Sequence, residues 1–425
     1  MNVEIISSKL QGTIDAVTSK SYTHRALIIL SLLNNCGKII NPSICEDTIT
    51  TMKYLNAMGV KTIIENNVIT VSKQSELINP SFFPYNDNSG TSIRLLLPIV
   101  TELFTEANFL ISEKLFERLT NTNLESYFDY QFSSLENNKI MLNVQKKAQL
   151  PYLKLEKTSQ YASGFLLLSV LKNSKFNFDS ITLPSYLLMT IDYLEKVGIT
   201  FDIIKAENAT QVNTYNYNLI NYYNFNVEGD YSLMANFIIL GCYYSKIIIN
   251  NLSDNSIQGD YKILEILNNL FETKPFYFSN NQLLFNKTVL NGNASLNIDI
   301  SNIPDIAPLL MAYALLLNEP SKFYNFEKLN YKESNRITST LATIKNMNGR
   351  YKLTDKVIEI YPSNLSFDKP FDSYNDHRIV FLIAIIALIE NRTCTINNCQ
   401  CFKKSYPEFF DNLLKLSSKC IFKED

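Results

Sequence analysis

The chain has 425 residues, with 39 basic and 41 acidic side chains, a formal net charge of -2 and 46% hydrophobic residues. This composition is typical of a globular protein, and its near-neutral charge argues against a general nucleic-acid or anionic-membrane binder, whose affinity needs a surplus of Lys and Arg. A single hydrophobic core stops growing at roughly 250–300 residues, so the length predicts two domains.

The N-terminal segment MNVEIISSKLQG lacks a basic region followed by an apolar run, and the longest apolar stretches are too short to span a bilayer. We therefore expect a cytoplasmic protein without a membrane segment. Cys394, Cys399 and Cys401 lie close together in the sequence, but no His lies near them to complete a zinc site. Thiols in a reducing compartment are the favoured interpretation.

One pattern, a short β-like run followed by a polar junction and a long apolar helix, occurs six times. The junctions are SKSYTHRALIILSLL, NSGTSIRLLLPIV, EKTSQYASGFLLLSVL, VEGDYSLMANFIILG, NIPDIAPLLMAYALLL and YNDHRIVFLIAIIALI. They recur roughly every 70 residues, and each is followed by an amphipathic helix and in most cases by a hairpin such as KTIIENNVITVS. The pattern predicts six β-α-β-α-β-β units, three per domain, with the first helix of each unit buried and the second facing outward.

The Asn- and Tyr-rich stretch ATQVNTYNYNLINYYNFNVEGD allows two interpretations, low complexity or β-structure. Polar and apolar residues nearly alternate in it, so a strand is favoured. It also lies at the midpoint of the chain, where we expect the chain to pass between domains.

The N-terminal half places cations and hydroxyls at helix starts. A helix N-terminus has unpaired N–H groups and a positive dipole end, and so binds anions. Taken alone, each start is also explained by ordinary helix capping with solvated charges. The residues are Lys20, Ser21 and Arg25 at the first start, Asn88, Gly90, Thr91 and Arg94 at the second, and Thr158, Ser159 and Gln160 at the third.

The C-terminal half adds carboxylates to these cations. KESNR places Lys332 and Arg336 at a predicted helix start, four residues apart and therefore on one face. Ionisable groups at the start of a buried apolar helix need partners. The pattern predicts a cleft for multiply anionic substrates beside acid and base groups. The additional residues are Asp305, Glu333, Asp376, His377 and Arg378.

These motifs, in this order, resemble those of the 5-enolpyruvylshikimate-3-phosphate (EPSP) synthases of the shikimate pathway. KSYTHR resembles K-S-x-S/T-x-R, NSGTSIR resembles N-x-G-T-x-x-R, KESNR resembles K-E-[ST]-D-R, and YNDHR is the same in both. TSQ, VEGD, IQGD, IPD and KSYP follow the family's order as well. The resemblance implies an α/β fold, an inside-out α/β barrel of two domains with three units each. It makes one domain discontinuous, here 1–18 plus 228–425, and the other continuous, 19–227, with the active site in the cleft between them.

The resemblance implies a monomer that transfers the enolpyruvyl group of phosphoenolpyruvate to the 5-hydroxyl of shikimate 3-phosphate without a metal or organic cofactor. Asp305 is then the base for the 5-hydroxyl, and Glu333, with Lys20, transfers protons at the methylene and phosphate ends. Shikimate 3-phosphate is assigned to Ser21, Arg25, Thr158, Ser159, Gln160, Tyr186, Asp305 and Lys332. Phosphoenolpyruvate is assigned to Lys20, Gly90, Lys114, Gln160, Arg336, Arg378 and Lys404, with Asn88, Thr91, Arg94, Asp376 and His377 in support.

The chain departs from the family pattern at several positions. Lys114 of KLFER takes the place of a family Arg, with Arg118 as the neighbouring cation that could replace it, and Leu95 takes the place of a Pro. His24 occupies a variable motif position and is given no role. The remaining departures are Leu183 in place of a Ser, Asn335 in place of an Asp, and Lys328 and Asn330 where the family commonly has N-x-R before KE.

Two alternatives stay open from the sequence. One is the sister enzyme that transfers enolpyruvyl to UDP-N-acetylglucosamine through a loop cysteine, although no Cys lies between Cys45 and Cys242 and Lys20 is followed by Ser21 rather than Asn. The other is a catalytically weakened paralogue that binds phosphate ligands, suggested by Lys114, Leu183 and Asn335.

Overall fold

The computed structural model describes residues 1–6, 8–73, 76–148 and 152–423. The chain divides into two compact units, which we call the discontinuous unit (Met1–Val17 with Glu228–Asp425) and the continuous unit (Thr18–Val227). Thr18, which the resemblance placed in the discontinuous domain, thus belongs to the continuous unit. Within the described ranges, no helix combines the length and apolar character that crossing a bilayer requires.

The chain begins in the discontinuous unit, with strands β1 (Asn2–Ile6) and β2 (Gly12–Asp15). The continuous unit then forms three sheets among its described residues, with strand orders β13-β3-β5-β4, β6-β7-β9-β8 and β10-β12-β11. Its elements are α1 (Lys20–Leu32), β3 (Gly37–Ile40), α2 (Glu46–Ala57), β4 (Val60–Glu65), β5 (Val68–Lys73), β6 (Phe83–Asn86), α3 (Gly90–Phe104), β7 (Glu106–Ser112), α4 (Glu113–Thr120), α5 (Leu124–Tyr127), β8 (Phe128–Leu135), β9 (Lys139–Lys146), α6 (Gln160–Leu167), β10 (Ser174–Phe178), α7 (Ser185–Lys196), β11 (Thr200–Lys205), β12 (Thr210–Tyr215) and β13 (Tyr223–Asn226).

The rest of the discontinuous unit returns to the first two strands. β1 lies between β22 and β23, and β2 pairs in parallel with β14, so the described strands form the sheets β21-β22-β1-β23, β15-β16-β14-β2 and β17-β18-β20-β19. The elements are α8 (Tyr231–Tyr243), β14 (Ile247–Asn250), α9 (Ile263–Leu270), β15 (Phe276–Ser279), β16 (Gln282–Phe285), β17 (Asn297–Asp299), α10 (Ala307–Tyr313), β18 (Ser321–Tyr324), α11 (Arg336–Asn346), β19 (Arg350–Leu353), β20 (Ile358–Tyr361), β21 (Phe371–Asp372), α12 (His377–Ile389), β22 (Cys394–Asn397), α13 (Phe409–Lys415) and β23 (Lys419–Lys423).

Asparagine closes several hairpins in this glycine-poor chain. The pairs at 66–67 and 280–281 form the two-residue turns between β4 and β5 and between β15 and β16, the pair at 137–138 completes the three-residue turn between β8 and β9, and all six residues have φ between 48° and 60°. Two-residue hairpin turns of this kind need positive φ at both positions, which Asn tolerates better than most residues. The hairpin predicted from KTIIENNVITVS is confirmed, and the Asn- and Tyr-rich stretch contains β12 and β13, as the favoured interpretation required.

The apolar runs form the buried helices that the sequence predicts. Helices α1, α3, α8 and α12 are buried on nearly every side, and each lies in the core of its own unit. Helix α6 packs closely on α3 at Gly164, where an added Cβ would lie 2.7 Å from the carbonyl oxygen of Leu95. The cores therefore fix the helix starts, which carry the polar residues of interest.

Candidate active site

Arg336 is the centre of a buried charge cluster in the discontinuous unit. Its side chain is 1% exposed and donates from Nη1 to Asp305 Oδ1 at 2.7 Å, from Nη2 to Glu333 Oε2 at 2.7 Å and from Nε to Asp376 Oδ2 at 2.9 Å. Burial alone would lower the pKa of the guanidinium, but the three carboxylates outweigh burial and raise that pKa. Arg336 therefore stays charged and is held in one orientation.

Two of these carboxylates also pair with a lysine each. Lys332 Nζ lies 3.1 Å from Asp305 Oδ1, and Lys404 Nζ lies 3.0 Å from Glu333 Oε1. Asp305 and Glu333, the predicted acid and base groups, are thus each held between Arg336 and one lysine. Ion pairs favour the charged form of a carboxylate.

The helix at this site begins later than the sequence suggested. Lys332 and Glu333 precede α11, because the Asn335 side chain caps the helix by accepting hydrogen bonds from the N–H groups of Ile337 and Thr338, both at 3.2 Å. The prediction that Lys332 shares a helix face with Arg336 is wrong. The two cations instead converge on one carboxylate oxygen from the loop and from the helix.

The YNDHR segment starts α12 as predicted, with Asp376 as its N-cap. Asp376 Oδ1 accepts from the Arg378 N–H at 2.9 Å, and burial would raise the pKa of Asp376, but Arg336 outweighs burial and holds it below its usual value. His377 is 3% exposed, and burial lowers its pKa to about 3, so the ring is neutral near pH 7. Arg378 donates from Nη1 to the Ser232 carbonyl at 2.7 Å and from Nη2 to the Ser232 hydroxyl.

Asp260 belongs to this cluster, and sequence reasoning missed it. It is 3% exposed, and burial, with a further contribution from Asp305, raises its pKa to about 7, although Arg378 acts in the opposite direction. Its segment, IQGD, was part of the motif order, but a single acidic residue before an amphipathic helix gave no signal of burial.

In the continuous unit, Arg25 ties three helices together. It donates from Nε to Thr190 Oγ1 at 2.8 Å, from Nη1 to the Ser21 carbonyl at 2.8 Å and from Nη2 to Ser163 Oγ at 3.2 Å and the Tyr186 carbonyl at 2.7 Å. Burial lowers the pKa of Arg25 to about 10, which still leaves it charged at neutral pH. The structure therefore places Arg25, Ser21 and Tyr186 together.

The starts of α3 and α6 are joined through side chains. Arg94 Nη1 donates to Gln160 Oε1 at 3.0 Å, and Gln160 Nε2 donates to Thr91 Oγ1 at 2.9 Å. Thr158 Oγ1 accepts from the Gln160 N–H at 3.2 Å, and Ser159 is the residue that precedes α6. These polar groups, assigned separately from the sequence, form one connected set.

Two guanidinium groups lie beside Gly90, those of Arg94 and Arg118, and Arg94 Nη1 is the nearer, 2.6 Å from the point where a Cβ on Gly90 would be. Arg118 Nη1 donates to the Asn88 carbonyl at 3.0 Å, and its Nη2 lies 3.5 Å from the point where a Cβ on Gly90 would be. Lys114 is exposed on α4 and makes no hydrogen bond or ion pair with the residues that the structure describes. Lys20, by contrast, is held by Asp47, with Nζ 2.7 Å from Oδ2.

Solved structures first define the class. The EPSP synthase of Acinetobacter baumannii matches at a TM-score of 0.69 and 18% identity, covering 99% of this chain and 100% of that one. The enolpyruvyl transferase NikO of Streptomyces tendae matches at a TM-score of 0.70 and 13% identity, covering 99% of this chain and 98% of that one. The chain thus has the mixed α/β fold of enolpyruvyl transferases.

Sequence comparison then defines the family. The family model for EPSP synthase (3-phosphoshikimate 1-carboxyvinyltransferase) matches residues 5–413. The 3-phosphoshikimate 1-carboxyvinyltransferase of Clostridium perfringens strain 13 is 30% identical over 423 residues, covering 97% of this chain and 98% of that protein. The chain belongs to the EPSP synthase family, and the resemblance read from its motifs is confirmed. It is a transferase with the activity of that family, and the family implies phosphoenolpyruvate and shikimate 3-phosphate as substrates.

Proposed function

We propose that Asp305 and Glu333 perform the proton transfers by which the chain moves the enolpyruvyl group of phosphoenolpyruvate to the 5-hydroxyl of shikimate 3-phosphate. The observation that carries this proposal is the pair of carboxylates held around Arg336, each also within 3.1 Å of a lysine. Addition of an alcohol to an enol phosphate removes one proton and supplies another, so it needs a base and an acid at fixed positions.

In the addition step, Asp305 takes the proton of the 5-hydroxyl while the hydroxyl oxygen bonds to C2 of phosphoenolpyruvate. Glu333 must enter this step protonated, and it supplies that proton to the C3 methylene, which becomes a methyl group in a tetrahedral intermediate. In the elimination step the methyl group returns a proton to Glu333, the C2–O bond to phosphate breaks, and Lys20 supplies a proton to the departing phosphate. The surrounding cations stabilise the negative charge throughout.

The substrate-binding roles follow the sequence assignment with one change. We assign shikimate 3-phosphate to Ser21, Arg25, Thr158, Ser159, Gln160, Tyr186, Asp305 and Lys332. We assign phosphoenolpyruvate to Lys20, Gly90, Gln160, Arg336, Arg378 and Lys404, with Arg118 in place of Lys114, because the Arg118 guanidinium lies beside Gly90 whereas Lys114 is exposed. Asn88, Thr91, Arg94, Asp376 and His377 support these ligands, and the hydrogen bonds of Thr91, Arg94 and Asp376 favour that role.

We also retain the finer architecture as part of the proposal. Six β-α-β-α-β-β units, three in each unit of the chain, would form the inside-out barrel of the family. In support, each unit has three sheets among its described residues. The proposal includes a cytoplasmic monomer.

The test is release of inorganic phosphate from phosphoenolpyruvate. Purified protein should release phosphate with shikimate 3-phosphate and not with UDP-N-acetylglucosamine, and mass spectrometry should find the enolpyruvyl ether at the 5-position. Turnover only with the nucleotide sugar would overturn the assignment. Binding of both ligands without turnover would instead indicate a weakened paralogue.

A further inference from the structure

A buried chain of hydrogen bonds links three helices of the continuous unit. His24 Nδ1, on α1, lies 2.8 Å from Thr51 Oγ1 on α2, which lies 2.8 Å from Ser92 Oγ on α3. Ser92 Oγ lies 2.8 Å from Ser89 Oγ, at the residue preceding α3, and all four residues are at most 3% exposed. We call these four side chains the hydroxyl relay.

The direction of the hydrogen bonds follows from counting protons. Ser92 Oγ lies 3.1 Å from the Asp47 carbonyl oxygen, which can only accept, so the single Ser92 proton is donated there. Ser92 must then accept from both Thr51 and Ser89. Because Thr51 has given its proton to Ser92, it accepts from His24, which must carry its proton on Nδ1.

The electrostatic surroundings keep this arrangement fixed. Burial lowers the pKa of His24 to about 3, with Lys20 and Arg25 lowering it further and Asp47 opposing them, so the ring is neutral at physiological pH. Within the described part of the chain, Nε2 of this ring is buried without a hydrogen-bond partner. Only the Nδ1 side of the ring therefore contributes to the relay.

The part of the relay formed by Ser89 and Ser92 reaches two groups assigned to phosphoenolpyruvate. Ser89 directly precedes Gly90 and, among the described residues, gives α3 no side-chain cap, because its hydroxyl is directed to Ser92. Gly90 donates its N–H to the Asn88 carbonyl at 3.0 Å, and the N–H groups that follow it in the first turn do not receive the Ser89 hydroxyl, so they remain suited to an anion. From Ser92 the relay also reaches Asp47, whose backbone carbonyl accepts from the Ser92 hydroxyl while its carboxylate holds Lys20 at 2.7 Å.

We propose that His24 is a positioning residue for phosphoenolpyruvate: through Thr51 and Ser92 it holds the Ser89 hydroxyl away from the α3 N-terminus and fixes the Asp47 segment that orients Lys20. The inference rests on the proposed function for the identity of the ligand. It assigns a role to a position for which the motif gave none.

The test compares variants that break or preserve the relay. Thr51→Val and His24→Leu remove its hydrogen bonds, whereas His24→Asn keeps a donor near the position of Nδ1. Thr101→Val is the matched control, since Thr101 is also buried in this unit but its hydroxyl, among the described residues, bonds only to carbonyls of its own helix. The KM for phosphoenolpyruvate is measured in each, together with the Kd for shikimate 3-phosphate alone by calorimetry.

Thr51→Val and His24→Leu should raise the KM for phosphoenolpyruvate roughly 3- to 10-fold, the effect of about one hydrogen bond, and change the Kd for shikimate 3-phosphate less than twofold. His24→Asn should restore the KM, and Thr101→Val should leave it unchanged. An unchanged KM in a folded Thr51→Val protein, or equal losses for both ligands, would overturn the proposal.

A second measurement does not depend on turnover. Nitrogen-15 NMR of the imidazole should show a neutral ring with the proton on Nδ1 between pH 5 and 8. An Nε2–H tautomer would overturn the relay even if Thr51→Val impaired activity. Failure of the wild-type protein to release phosphate, with the Nδ1–H tautomer present, would instead refute the proposed function and leave the relay confirmed.

Discussion

Replacing Arg336 by Met should destabilise the discontinuous unit strongly and in a pH-dependent way. Met has a similar length and no charge, so the change removes one cation from three carboxylates that lie within 2.9 Å of it. Removing one partner of a buried ion pair costs about 3–5 kcal/mol, because a buried charge is left unpaired.

The structure favours the lower end of that range. Lys332 remains beside Asp305 and Lys404 beside Glu333, so Asp376 is the carboxylate that loses its ion pair, keeping the Ser334 hydroxyl at 3.0 Å. A loss of about 3 kcal/mol in a unit of this size lowers Tm by roughly 6–12 °C. Calorimetry should resolve this shift. Arg350→Met is the control, because Arg350 is exposed in the same unit and should shift Tm by about 2 °C or less.

The sign of the pH dependence follows from the pKa of Asp376. In the native protein Arg336 holds that pKa below its usual value, so the stabilisation is present above about pH 4 and is lost as the pH falls through the lowered pKa. In the variant, burial without the cation raises the pKa of Asp376, and stability is lost as the pH rises. The difference in Tm between the wild-type protein and Arg336→Met should therefore widen from pH 5 to pH 8. A difference independent of pH, or no larger than that of the control, would refute the reasoning.

Three further outcomes are expected. Asp305→Asn should lower kcat on the order of 10²-fold or more while calorimetry still detects shikimate 3-phosphate binding, because the proposed base is lost; near wild-type turnover would move the base to another group. Arg118→Ala should raise the KM for phosphoenolpyruvate about 10-fold, whereas Lys114→Ala should change that KM less than twofold. A larger effect of Lys114→Ala than of Arg118→Ala would restore Lys114 as the ligand. Because burial raises the pKa of Asp260 to about 7, its stabilising protonated form is complete below about pH 4 and is lost as the pH rises through 7. Asp260→Asn keeps a neutral group, so its Tm relative to wild type should increase from pH 5 to pH 8; a constant difference would contradict this account.

The fold elements were largely predictable because apolar runs and turn residues are local signals. The run that follows YNDHR specifies α12, and the Asn pair at 66–67 specifies a hairpin, without any knowledge of distant contacts. The motif order identified the family for the same reason.

The individual contacts at the site were less predictable, because they depend on which side chains the helices bring together. KLFER contains two cations one helical turn apart, and only the structure shows that Arg118 reaches Asn88 while Lys114 is exposed. The burial of Asp260 and the relay from His24 depend on contacts with residues at least 27 positions away. No local pattern carries that information.

The charge cluster also constrains how substrate can bind. Arg336 has five N–H groups, and four of them already meet carboxylate oxygens, counting a weaker contact from Nη2 to Asp376 Oδ1 at 3.4 Å. Under the proposed roles, phosphoenolpyruvate must therefore displace at least one carboxylate to gain a bidentate contact with this guanidinium. Displacing Asp305 would leave the proposed base with one cation fewer, and a carboxylate that loses a paired cation accepts a proton more readily. Binding of the anion and activation of the base would then be one event, which would explain why the arginine assigned to phosphoenolpyruvate is surrounded by the carboxylates assigned to proton transfer.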